Sequence, residues 1–147
     1  MKKRFVTMLG IAALGVLLMG NAGYAFDPND LYTLQTTNTC PRCDLSGVDL
    51  TGMTLGRVDL NGANLSGATL IGINLSNSDV DGANLSGANL SYANLNGSDF
   101  TGRANLSGAN LVGASIVGTN FTGATLDNAT WIDGGACQPG SVGTCNE

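Results

Sequence analysis

The chain has 147 residues, 22 of them glycine, four cysteines, no histidine and a formal net charge of −5. The lack of histidine removes the commonest general base and the commonest metal ligand together. Beyond residue 25, eleven acids stand against Arg42, Arg57 and Arg103, a net charge of about −8 that repels nucleic acid.

Residues 1–25 have the three parts of an export signal. Lys2, Lys3 and Arg4 precede an apolar run from Phe5 to Leu18, and small residues end the segment at Gly23-Tyr24-Ala25. The run is shorter than the roughly 20 residues of a spanning helix. The segment therefore predicts cleavage before Phe26, with a retained anchor as the alternative, and no stable membrane insertion after cleavage. An even number of cysteines beyond it favours disulfides, as expected outside the cytoplasm.

Residues 26–42 are expected to form an N-terminal cap. In FDPNDLYTL, Asp27 suits the cap of a short helix, Pro28 its first position, and Phe26 can pack on Leu31 as a hydrophobic staple. Leu31 and Leu34 could then cover the near end of the segment that begins at residue 43.

From residue 43 to 133 a five-residue unit takes over, clearest in ANLSGANLSYANL from Ala83 to Leu95. Its centres are Leu45, Leu50, Leu55, Leu60, Leu65, Leu70, Leu75, Val80, Leu85, Leu90, Leu95, Phe100, Leu106, Leu111, Ile116, Phe121, Leu126 and Trp131, eighteen in all. One extra residue falls among Thr101, Gly102 and Arg103. A period of five is neither that of a helix nor that of a strand, so it declares a repeat architecture. A small residue two positions before each centre points to the same side of an extended segment as the centre itself. Gly two positions after most centres lets the backbone turn. No unit buries its leucine alone, but stacked units share a continuous core. In the first units the small position holds Cys43, Val48, Met53 and Val58, bulk suited to a terminal coil.

This pattern resembles the pentapeptide-repeat family, A(D/N)LXX. The resemblance implies an all-β fold, a right-handed quadrilateral β-helix of four units per coil with a short N-terminal helical cap. At roughly 4.8 Å between stacked strands, eighteen units make a rod about 20 Å long. Its centres sort into four faces, beginning at Leu45, Leu50, Leu55 and Leu60, if the extra residue near Gly102 bulges at a corner without changing the order.

Residues 134–147 form a tail with Cys137 and Cys145. The run WIDGGACQPGSVGTC looks like an ending common in the family, and a Cys137–Cys145 bridge would close a loop over the far end. Cys40-Pro41-Arg42-Cys43 has the spacing of a thiol–disulfide oxidoreductase site, yet a strand comes next where such a site needs a helix. A structural bridge tying the cap to the first coil is the expected reading. A zinc site of all four cysteines would need two molecules, because the pairs lie at opposite ends.

Two surface features invite function. Ile71, Tyr92, Val112 and Ile132 form a candidate apolar stripe on the second face, with Val117 on the adjoining one; it either docks a protein or a second copy, or lies beneath the returning tail. Asp59, Asp79 and Asp99 form an acidic column on the fourth face with Asp81 beside them, readable as a Ca²⁺ site, a row of phosphate mimics, or a solvated ladder. No nucleophile with an activator, no cofactor loop and no metal set emerges. The expectation is a non-enzymatic, exported interaction or scaffold module of the cell envelope, in the periplasm, thylakoid lumen or outside the cell, that binds an unidentified protein partner or itself and no nucleic acid. The alternative is an acidic DNA mimic acting on an enzyme such as gyrase, as some similar proteins do.

Overall fold

A computed structural model describes residues 26–147. The export signal expected over residues 1–25 lies outside the described residues. Among the described residues, one helix, α1 (Pro28–Thr37), precedes a continuous coil of short rungs, and no helix is long and apolar enough to cross a membrane.

The coil is the four-sided, right-handed β-helix that the five-residue period implies. On the first face Asp44, Asn64, Asn84, Asn105 and Thr125 pair in parallel, and on the second Asp49, Thr69, Asn89, Asn110 and Thr130 do. The third joins Thr54, Asn74, Asn94 and Ser115; the fourth joins Thr39, Asp59, Asp79, Asp99 and Asn120. The backbone explains the register. Leu65 N–H donates upward to Asn84 O at 2.7 Å, while Asn84 N–H donates downward to Ala63 O at 2.9 Å. Each corner closes on itself, as where Ala63 N–H donates to Leu60 O at 2.9 Å. Turning so tightly requires the left-handed backbone that glycine adopts without cost, and Gly62 and Gly67 both sit at φ 65°.

The side chains at the centres and two positions earlier fill the interior, Leu, Ala, Phe and Val among them. At the corner between the third and fourth faces, the small inward residue is a hydroxyl. Ser78 donates to Leu55 O at 3.3 Å, Ser98 to Leu75 O at 2.6 Å and Thr119 to Leu95 O at 2.7 Å. Burying these oxygens is tolerable because each has a partner. Phe100 stacks on Phe121 with centroids 5.1 Å apart, and Phe121 meets the edge of Trp131 at 5.6 Å.

The extra residue does bulge at a corner. Asn84 pairs with Asn105 and Asp99 with Asn120, so every later unit keeps its face. Gly102 and Arg103 take φ values of 58° and 70°. Asp81 braces the bulge, accepting from Thr101 Oγ1 at 3.1 Å, and its carboxylate lies where a Cβ on residue 102 would stand.

The N-terminal end differs from expectation in one respect. Cys40 already occupies a centre: Thr39 pairs with Asp59, Cys40 N–H donates to Asp59 O at 2.7 Å, and its side chain is fully buried. The coil thus starts one unit before the sequence pattern shows it, because Asn38, in the small position, serves instead as the left-handed C-cap of α1. The Cys40–Cys43 disulfide consequently closes the first corner of the coil rather than tying the cap to it.

Helix α1 begins as expected, with Asp27 accepting from Asn29 N–H at 2.8 Å and Pro28 in the first turn. Leu34 is buried, and Phe26 and Leu31 pack against the core. The cap also satisfies the coil's backbone. Asp44 has no rung beneath it, and its carbonyl accepts from Asp27 N–H at 2.9 Å while its N–H donates to Asp30 Oδ2 at 2.7 Å. The opening turn of α1 thus substitutes for a preceding strand on the first face.

At the other end the tail returns antiparallel, with Val142 pairing to Thr125 and Ala136 to Thr130. Leu126 N–H donates to Ser141 O at 2.8 Å and Asn128 N–H to Cys137 O at 2.9 Å. The Cys137–Cys145 disulfide closes this loop. Replacing Asp30 by Ala removes the acceptor beneath Asp44 and should lower unfolding free energy by about 1 kcal/mol, whereas Asp30→Asn should lose less; urea unfolding of both variants measures the difference.

Candidate interaction surface

The second face carries Asp, Asn or Thr before each centre and a variable residue after it. That variable column is Thr51, Ile71, Ser91, Val112 and Ile132. Stacking is direct: Gly52 N–H donates to Ile71 O, Gly72 N–H to Ser91 O, Tyr92 N–H to Val112 O and Gly113 N–H to Ile132 O. Ile71, Val112 and Ile132 are half-buried, and Ser91 between the first two is only 8% exposed. Its counterparts Ser66, Ser86 and Ser107 on the first face are more open. Ile71 and Val112 flank Ser91 in the column, and Tyr92 follows it where Gly follows the three counterparts.

Tyr92 stands at the next corner, where Gly52, Gly72 and Gly113 occupy the other coils. It holds φ 59°, a conformation that costs a bulky side chain about 1–2 kcal/mol. Its ring lies over the Cα of Gly113, close enough to exclude a Cβ there, and yet Tyr92 is 70% exposed. A strained backbone that presents an aromatic ring to solvent has no evident benefit for the core. The tail does not run down this face; it pairs across the end of the rod, on Thr125 and Thr130. Val117, on the adjoining third face, is 76% exposed.

On the fourth face the column Asp59, Asp79 and Asp99 stacks in successive coils. Each carboxylate accepts from the N–H two residues on, at Asn61, Asp81 and Thr101, with distances of 3.0, 3.0 and 3.1 Å. Asn64, Asn84 and Asn105 make the same bond to Ser66, Ser86 and Ser107. Outward Asp and Asn are thus interchangeable members of one ladder. Among the described residues no three acids or cysteines converge as a metal ion would need. Bonds from the Ser46 side chain and N–H hold Asp44 below the ordinary carboxylate range, and bonds from Thr51 do the same for Asp49.

The cysteines stand as two local pairs, Cys40–Cys43 and Cys137–Cys145, and no cysteine among the described residues is free. The sequence did not reveal the left-handed backbone of Tyr92, although a non-glycine at a glycine corner was its visible sign. Nor did it reveal the Asp27 and Asp30 contacts, since acids in a first helical turn ordinarily serve the helix itself.

The family profile described as "Pentapeptide repeats" matches in 8 copies over residues 43–82, 70–102 and 103–130. No curated protein sequence matches the chain. Among solved structures, a pentapeptide repeat protein from the Arabidopsis thaliana thylakoid lumen is 32% identical, over 74% of this chain and 73% of that one, with a TM-score of 0.45. The pentapeptide repeat protein Rfr23 from the cyanobacterium Cyanothece 51142 is 32% identical, over 69% of this chain and 88% of that one, with a TM-score of 0.45. A pentapeptide repeat protein from Nostoc PCC 7120 is 29% identical, over 65% and 74% of the two chains, with a TM-score of 0.27.

Tyr92→Gly should relieve the corner and leave the melting temperature equal or higher, despite losing the ring; a clear fall would make the tyrosine a structural residue. A pH series tests the lowered carboxylates. Groups with depressed folded pKa values contribute stability above the ordinary carboxylate pKa of about 3.9, and that contribution is lost as pH falls through their folded values. The double variant Asp44→Asn, Asp49→Asn should therefore show a shallower loss of melting temperature between about pH 5 and pH 2.

Proposed function

The chain belongs to the pentapeptide-repeat family, and from that premise we propose that it is a non-enzymatic, exported interaction module of the cell envelope, docking a protein through its second face. The observation that carries this reading is Tyr92, a strained and exposed aromatic in line with Ile71, Val112 and Ile132. Aromatic side chains anchor protein interfaces because they bury much area with few rotatable bonds. A rod whose rungs are all tied to their neighbours holds such a stripe rigidly, so little is lost to ordering on binding.

Two closed disulfides and the signal-like segment over residues 1–25 support export to the periplasm, the thylakoid lumen or the cell exterior. The acidic column is a weak basis for imitation of DNA. Its three carboxylates span two coil spacings, about 10 Å, over which duplex DNA carries about six charges.

A photo-crosslinking residue at position 92, expressed in intact cells, should give a discrete adduct, while the same residue at Ser86 on the first face should not. Adducts of equal yield from both positions, or from neither, refute docking by the second face. The triple change of Ile71, Tyr92 and Val112 to Ser, with crosslinking from Ser91, should remove the adduct without unfolding the rod.

A further inference from the structure

The C-terminal end of the rod is stepped. The first and second faces continue to Leu126 and Trp131 and then receive the tail, whereas the third and fourth stop at Ile116 and Phe121. In lower coils the N–H groups at these positions bond upward, as Leu95 N–H does to Ser115 O at 2.8 Å and Phe100 N–H to Asn120 O at 2.8 Å. Among the described residues, the N–H groups of Ile116, Gly118 and Phe121 have no such partner.

The near end is open on two faces as well, where the N–H groups of Asp49 and Thr54 have no rung beneath them among the described residues, but Asp49 and Arg57 put charge on that stretch. Helix α1 closes the start on the first face, and the tail covers the second-face and first-face rungs at the far end. The segment ASIVGTNFTG from Ala114 to Gly123 has neither charge nor proline, the usual protections of an exposed strand edge. It is instead rich in β-branched residues, and Val117 projects outward at 76% exposure.

We propose that this edge, chiefly Ala114–Gly118, accepts an extended segment of a partner polypeptide as an added rung. The chain's own tail shows that this end of the rod pairs with an extended strand, since residues 136–142 do so on the two adjoining faces. A second copy fits poorly by the same edge. The tall half stands two strand spacings above the low half, roughly 10 Å, and keeps two low halves from meeting; a single strand enters the step freely. The partner segment is basic, because residues 104–147 contain Asp127, Asp133 and Glu147 and no lysine or arginine. The edge is separate from the apolar stripe, and its pairing does not depend on docking there.

The probe is a capped peptide, acetyl-ARIRGARLRG-amide, written to the coil's own rule with arginine at the outward positions. Its control carries N-methyl groups on the amides that would face the edge and keeps every side chain. With the disulfide-bonded chain, the parent peptide should bind and slow amide exchange at Ile116 and Gly118, and the methylated peptide should bind about tenfold more weakly or worse, the loss of one to two net hydrogen bonds. The triple serine variant of the stripe should bind the parent peptide unchanged. Equal binding of the two peptides, no binding at millimolar concentration, or protection confined to other residues overturns the proposal. So does sedimentation showing that the chain alone dimerises and buries these amides, which would make a second copy the occupant.

Discussion

Away from the two ends of the coil, each centre donates its N–H to the rung above, and the residue before it donates downward; this alternation organises the molecule. Leu45, Leu65, Leu85 and Leu106 make the upward bond on one face at 2.7–2.8 Å. The inward placement of the apolar side chains results from it, because a rung with both neighbours paired cannot rotate about its own axis. Burial of leucine and alanine then supplies the favourable term, and the ladder dictates where that burial occurs. The outer face inherits the same regularity, with Asn and Asp each bonding the N–H two residues on.

A ladder of this kind has two ends, and the ends are where the chain departs from repetition. At the start, Asp27 donates its N–H to the carbonyl of Asp44 and the Asp30 carboxylate accepts from the N–H of Asp44, so one short helix both covers Leu34 and completes a rung. At the finish, antiparallel pairing by a disulfide-closed tail serves two faces. Bulk obeys the same logic: Cys43, Val48 and Val58 at one end, and Phe121 with Trp131 at the other, fill space that a neighbouring coil would otherwise occupy.

The middle of the molecule was legible in the sequence because its physics is periodic. The spacing of Ala83, Leu85, Ala88 and Leu90 alone places them inside, and the face order survived the bulge at Gly102 as expected. What was not legible depends on contacts between distant or atypical residues. Cys40 lacks the flanking signature of a centre and is recognised only by its bond to Asp59. The strain at Tyr92 hints at itself through a missing glycine, but its ring position over Gly113 does not. The direction of the tail could not be read from Cys137 and Cys145, since a local bridge is compatible with several paths. The alignment of Ile71 with Val112 was readable from the twenty-residue arithmetic, whereas the closing-over of Ser91 was not.

The bulge at Thr101–Arg103 has a consequence for the molecule's history. Below and above it the coil advances by twenty residues per turn, and a turn that spans it takes twenty-one without any face changing place. Gain or loss of a whole coil below the bulge leaves helix α1, the bulge and the tail facing the same directions, and alters only the distance between them. Rod length is thus a quantised trait, adjustable in steps of about 4.8 Å by duplication or deletion of a single DNA segment. The two specialised ends can be spaced like the jaws of a calliper while each keeps its own chemistry.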